Sequence, residues 1–216
     1  TFRAAVDATA RQDTANNHTA THLMHHALRE VLGKHVEQKG SLVSPDRLRF
    51  DFSHFRQVTQ EELTAVEEKV NEMIMQNIAS EVHDNTPMEV ALSMGAMALF
   101  GEKYGEKVRV VSFGDSVELC GGTHVDRTSR IGIFRIISEG AVAAGVRRIE
   151  AVTGRKALSY INEKLKILDE ITAMLRSTGN PVVNITKLMA ENTALKDTVE
   201  KMQMAAASTA RNELTA

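Results

Sequence analysis

Apolar positions set the outline of the chain. Residues 14 to 33 carry a helical pattern that starts near Thr14 or Asn16 and stops at Gly33. On that helix Leu23, Ala27 and Val31 form one stripe, and His18 and His22 share a neighbouring face. Arg47 to Phe52 alternates strictly, with Leu48, Phe50 and Phe52 on one side, which predicts a half-buried strand. Ser41–Leu42–Val43 is expected to pair with it across Ser44–Pro45–Asp46. Thr59–Gln60–Glu61–Glu62 reads as a capping box, opening a helix that buries Leu63, Val66, Val70, Met73 and Ile74. Thr86–Pro87–Met88–Glu89 reads as a second capping box, opening a short helix that Gly95 weakens or ends. Val108 to Phe113 and Val117 to Leu119 read as strands. Ile133 to Ser138 and Arg148 to Val152 read as two more, separated by a Gly/Ala-rich loop. The sum is an α+β domain over residues 1–154, a mainly antiparallel sheet with helices packed on it.

Beyond Gly154 the pattern is helical. It runs from Arg155 to Arg176, breaks at Gly179–Asn180–Pro181, and continues as a heptad seam of Ile185, Leu188, Asn192, Leu195, Val199, Met202 and Ala206. Residues 155–216 are therefore expected to form a helical hairpin or coiled coil that packs on its partner helix, another chain or a further domain. The chain begins at Thr1 without Met and ends inside a helical pattern, as expected of a piece of a larger protein.

Composition changes this outline in three ways. A hydrophobic content of 43% with only 4% aromatics and no Trp requires an aliphatic core with methionine as filler. A formal net charge of −2 excludes a generic polyanion binder, so nucleic-acid contact must come from a local basic patch. The apolar runs are too short for a bilayer, no secretion signal is present, and the single cysteine fits a reducing cytoplasm.

That cysteine falls in the chain's main chemical signature. His18 and His22 stand one helical turn apart, and Cys120–Gly121–Gly122–Thr123–His124 follows downstream: H-x-x-x-H … C-x-x-x-H. Two imidazoles on one face, with a thiolate and a third imidazole from a glycine turn, can fill the corners of one zinc site. Taken separately, the histidines could serve within their helix, where His22 and His26 are also four apart and His25 lies beside them, and the cysteine could be a small core residue. Thr19 stands where a zinc protease would carry the glutamate base of H-E-x-x-H.

Longer motifs stand in order with these: H-T-A-T-H from His18, Q-K-G-S from Gln38, R-F-D-F from Arg49, G-A-M-A-L-F-G-E-K-Y from Gly95, E-L-C-G-G-T-H from Glu118 and G-V-R-R-I-E-A-V-T-G from Gly145. The chain resembles the editing domain of bacterial alanyl-tRNA synthetases with the start of the helical segment that follows it. Free-standing trans-editing hydrolases and the threonyl enzyme share the histidine–cysteine signature, but R-F-D-F and G-A-M-A-L-F-G-E-K-Y favour the alanyl enzyme. The class II aminoacylation core, which binds ATP in the whole enzyme, is absent from this sequence.

The resemblance implies hydrolysis of tRNA(Ala) wrongly charged with serine or glycine, at a site with one zinc ion held by His18, His22, Cys120 and His124. It associates Thr21 and Gln38 with the editing pocket, and Cys120 joins them as a candidate catalytic residue. Ser41, Lys103, Arg147 and Arg148 are candidate contacts to substrate or the tRNA end. The two arginines would alternate faces of a strand, so at most one is expected to reach RNA, while Lys103 and Lys107 flank the 101–105 loop. Expected partners are the 3′ end of tRNA(Ala), the remaining synthetase domains and a second copy through the helical tail, with no membrane. A non-catalytic structural-zinc module for RNA binding or oligomerisation is the reading from a different class.

Overall fold

The computed structural model describes residues 4–98, 104–176 and 179–214. The chain divides into two compact units, Thr1–Tyr160 and Ile161–Ala216.

Unit 1 is built round helix α1 (Ala8–Leu32), which begins ahead of the expected start near Thr14 or Asn16. Asp7 caps it, its Oδ1 accepting from the amides of Thr9 and Ala10 at 2.9 and 3.0 Å. Gly33, at φ 116°, ends it as expected. Strands β1 (Gln38–Val43) and β2 (Leu48–Ser53) form the expected hairpin, followed by α2 (Gln60–Met75). The α2 capping box is present on both sides, Thr59 Oγ1 accepting from the Glu62 amide and Glu62 Oε2 from the Thr59 amide.

Next come β3 (Glu81–Pro87), α3 (Met88–Ser93), β4 (Lys107–Phe113), β5 (Ser116–Leu119), a 3-10 turn at Thr128–Ile131, β6 (Phe134–Ala143) and β7 (Val146–Thr153). The expected second capping box does not form. The Thr86 hydroxyl donates to the carbonyl of His83 instead, because Glu81–Pro87 is a strand paired with β4. The expected Gly/Ala loop is also structured: β6 runs through Gly140–Ala143, and the turn to β7 is closed by Gly145 at φ 72°.

Two antiparallel sheets result, one ordered β1-β2-β7-β6 and one β3-β4-β5. The main core joins Leu23, Met24, Ala27 and Leu28 of α1 to Phe50 and Phe52 of β2, Ile149 and Ala151 of β7, and Val66, Val70 and Ile74 of α2. Each of the Val, Leu, Ile, Met and Phe side chains among these contributes roughly 1.5–3 kcal/mol on burial. In the smaller sheet β3 is largely exposed, but β4 is buried on both faces. Val111 and Phe113 enter the main core, while Val108, Val110 and Leu119 pack with Ala91 of α3. This double burial fixes the end of β5, from which the Cys120 turn departs.

Helix α4 (Gly154–Met174) starts in unit 1 and continues into unit 2, where α5 (Pro181–Leu214) is capped by Asn180, whose Oδ1 accepts from the Val182 amide at 2.9 Å. The heptad lies on one continuous helix, and its seam residues Leu188, Leu195, Val199 and Met202 are exposed.

Candidate metal centre

Helix α1 presents His18 and His22 one turn apart, and β5 delivers Cys120 opposite them. The Gly121–Gly122–Thr123 turn then brings His124 back. One donor atom from each of the four side chains lies within 4.8 Å of all the others. Cys120 Sγ is 3.4 Å from His18 Nε2 and 3.2 Å from His124 Nε2. An S-to-N edge of a tetrahedral zinc site spans about 3.5 Å given usual bond lengths.

The surroundings hold these groups in place. Arg109 Nη1 donates to the carbonyls of Cys120 at 2.9 Å and Gly122 at 3.0 Å, while its Nε pairs with Asp84 at 3.2 Å. The Gly122 amide donates to Cys120 Sγ. Thr19 Oγ1 lies 3.1 Å from His124 Nδ1 and accepts from the Val125 amide. With Nδ1 turned to Thr19, His124 offers Nε2 to the cluster.

Burial, more than any neighbouring charge, lowers the pKa of all three imidazoles. His124 falls to about 3, with His18 and Arg109 adding to the effect. His22 falls well below its ordinary value, helped by His124, His18, His25 and Arg109. His18 is lowered by burial and opposed by a hydrogen bond with the Thr123 backbone. Neutral imidazoles are the form that binds a metal ion.

A pocket of about 590 Å³ opens beside the cluster, lined by His18, Thr21, His22, Gln38, Ser41 and Cys120, with Lys107 and Arg109 also on its wall. Thr21 is buried and its hydroxyl donates to the Asn17 carbonyl at 2.8 Å. Gln38 and Ser41 face the same way because of a bulge. Gln38 pairs with Phe52 but Gly40 with Asp51 and Ser41 with Phe50, so Lys39 is the extra residue and both side chains take the inward side of Phe50 and Phe52.

Arg147 and Arg148 are not among the residues lining this pocket. Arg147 grips Glu139 with Nε and Nη2 at 2.6 and 2.7 Å, and Arg148 grips Asp51 at 2.7 and 2.8 Å. Both forks hold the sheet together. Lys103 lies outside the described residues.

Comparison with known proteins gives this arrangement its context. Residues 108–150 match the family described as "Threonyl and Alanyl tRNA synthetase second additional domain". Alanine--tRNA ligase of Christiangramia forsetii is 52% identical over 201 residues, covering 93% of this chain and 23% of the relative. That of Stenotrophomonas maltophilia is 60% identical over 179 residues, 82% of the chain and 20% of the relative. The enzyme of Bacteroides fragilis is 54% identical over 197 residues, 91% and 23%. The chain resembles the editing-domain region of the alanine--tRNA ligases. It spans less than a quarter of the length of these relatives.

Within this alanine--tRNA ligase-like region, sequence reasoning found the four possible ligands but missed what holds them. Thr19 was read only as a missing base, and it is the residue that orients His124. Arg109 looked like one more charge on a strand; its paired carbonyls are visible only once the turn is folded. Glu118 is buried against His22, and His25 is buried against Glu118. In the sequence Glu118 stands as the first residue of E-L-C-G-G-T-H and as a charge inside a short apolar strand, with no role attached. No helix among the described residues is long and apolar enough to cross a membrane.

Proposed function

We propose that this unit hydrolyses the ester linking serine or glycine to mischarged tRNA(Ala), with one zinc ion held by His18, His22, Cys120 and His124. The observation that carries the proposal is the convergence of these four donors on the wall of a pocket that also contains Thr21, Gln38 and Ser41. The donor chemistry fits zinc. Three imidazoles held neutral by burial and one sulfur form a soft set that magnesium and calcium, which prefer oxygen, do not favour. Similarity to alanine--tRNA ligases supplies the substrate class.

Bound there, zinc supplies a Lewis-acid centre, and four protein ligands favour a role in orienting substrate over one in activating water. The chain's own residues do the selecting. Thr21 Oγ1 directs its proton to Asn17 and keeps lone pairs for a donor in the pocket. A seryl hydroxyl can donate there; an alanyl methyl leaves the acceptor unmatched. A pocket built on such a bond discriminates strongly against the analogue lacking it. Glycine brings no hydroxyl, so its acceptance rests on fitting the space. The Gln38 amide can donate to the ester carbonyl as negative charge develops on it. Lys107, on the pocket wall, is placed for the phosphates of the tRNA end. An aminoacyl ester is already activated, so positioning accounts for much of the rate. The remaining synthetase domains would carry most of the tRNA affinity, in the same cytoplasmic enzyme.

The test is deacylation of Ser-tRNA(Ala) by zinc-loaded protein. Hydrolysis well above background supports the esterase reading. No hydrolysis at high protein concentration favours the second reading, a structural-zinc module, to which the four-ligand set and the exposed seam of α5 lend support.

A further inference from the structure

His22 belongs to the cluster of candidate ligands and also contacts a buried carboxylate. Its Nε2 lies 3.3 Å from Glu118 Oε2, and its Nδ1 is buried with no hydrogen-bond partner among the described residues. Glu118 is 2% exposed, deep for a carboxylate. Its other oxygen, Oε1, is 2.9 Å from Nδ1 of His25, itself 3% exposed and packed on Phe50 with ring centroids 5.1 Å apart. His18, His22 and His25 therefore occupy successive turns of α1. The third acts on the carboxylate and not on the cluster.

We infer that Glu118, anchored by His25, is the positioning residue of the metal centre: it holds the proton of His22 on Nε2, so that His22 ligates through Nδ1. The inference rests on the zinc reading given above. Two independent features lead to it. The first is hydrogen-bond accounting. A neutral imidazole carries one proton, and a carboxylate facing Nε2 draws it there, which leaves the buried lone pair of Nδ1 in need of a hydrogen-bond donor or a Lewis acid. A metal ion fills that need, and no protein group among the described residues does. The second is charge. Among the described residues, the ion-pair contacts of Glu118 are the two imidazoles alone. A buried carboxylate needs positive charge nearby. A divalent ion on one thiolate keeps one positive charge, which Glu118 balances. Histidine ligands commonly donate their second nitrogen to a carboxylate in this way, and the carboxylate sets ring orientation and metal affinity.

The experiment uses the full chain. Zinc affinity is measured by competition with a chromophoric chelator, and coordination is followed by cobalt absorption, for wild type, Glu118→Gln and His25→Phe, each first shown to be folded by circular dichroism. Glu118→Gln keeps the volume and removes the charge. It is expected to lower zinc affinity by about tenfold or more. The sulfur-to-cobalt band from Cys120 should persist while the ligand-field bands shift. A role confined to packing would move the unfolding temperature of the metal-free protein and leave both metal readouts in place. Zinc affinity within about twofold of wild type in Glu118→Gln overturns the inference. An unchanged affinity in His25→Phe removes His25 from it. Nitrogen-15 spectra of zinc-loaded wild type give a reading that needs no variant: His22 protonated at Nε2 and metal-bound at Nδ1 is expected, and ligation through Nε2 overturns the inference. Failure of wild type to take up one zinc ion would instead overturn the metal-site reading beneath it.

Discussion

Gly122 lies directly against the imidazole of His18: a β-carbon at residue 122 would stand 2.0 Å from His18 Cε1 and 2.4 Å from Nδ1. A side chain there requires the His18 imidazole, which faces Cys120, to move. Gly121 next to it meets nothing within 4 Å. Gly122→Ala is expected to swing His18 off the cluster and weaken zinc binding by tenfold or more, on the order seen when a ligand's support is lost. Gly121→Ala should bind zinc normally. Equal affinities in the two variants, by chelator competition, would show that His18 is not a ligand.

Cys120 contributes the one sulfur, and its Sγ is within 3.4 Å of two of the imidazoles. Cys120→Ala should lose bound zinc and Ser-tRNA(Ala) deacylation together. Metal analysis showing full zinc occupancy in this variant would take Cys120 off the ligand set.

Under the proposed reaction, Thr21 is expected to separate the two substrates. Thr21→Val keeps the shape and removes the hydroxyl that bonds to the Asn17 carbonyl and faces the pocket. Seryl-ester hydrolysis should fall at least tenfold, on the order of a lost hydroxyl-recognising hydrogen bond, while glycyl-ester hydrolysis changes little. Parallel losses on both esters would assign Thr21 to helix packing.

The residues round this site also mark how far sequence carries. His18, His22, Cys120 and His124 were legible because each half of the signature is local, a helical turn and a glycine turn, and only their meeting is long-range. The burial of Phe50 and Phe52 was legible because alternation is local too. Gln38 and Ser41 were legible as motif residues but not as neighbours, since three positions in a regular strand point opposite ways; the bulge at Lys39 reverses that. Arg147 and Arg148 looked available to phosphate because their carboxylates, Glu139 and Asp51, sit on other strands. The start of α1 was missed because Ala8–Asp13 has little apolar periodicity and relies on the Asp7 cap.

Glu62 ties stability to acid pH. Its hydrogen bonds from Arg56, then the Thr59 amide, hold its pKa down from 4.5 to about 2. A carboxylate depressed in the folded state contributes stability that is complete above the unfolded value of 4.5 and is lost as pH falls towards 2. Its exposure to solvent keeps that contribution under about 1 kcal/mol. Glu62→Gln retains a capping side chain and removes the charge. Urea unfolding should show a small loss at pH 7 and almost none near pH 2. A penalty that is the same at both would mean the charge is not involved.

The limit of the first unit can be set by truncation. Helix α4 begins at Gly154, yet Ala157 is fully buried, and Arg155 and Lys156 reach back to Asp13 and Asp46 at 3.0 and 2.8 Å. Those contacts belong to the unit that ends at Tyr160. A fragment ending at Tyr160 should unfold cooperatively and bind zinc as the whole chain does. A fragment ending at Gly154 should still fold but lose the burial of the Ala157 side chain, about 1 kcal/mol. That is a fall in melting temperature of roughly 2–4 °C. The exposed ion pairs add little to the difference, because solvent screens them. If instead the Tyr160 fragment melts without cooperativity, residues beyond Tyr160 contribute to the folding of the first unit.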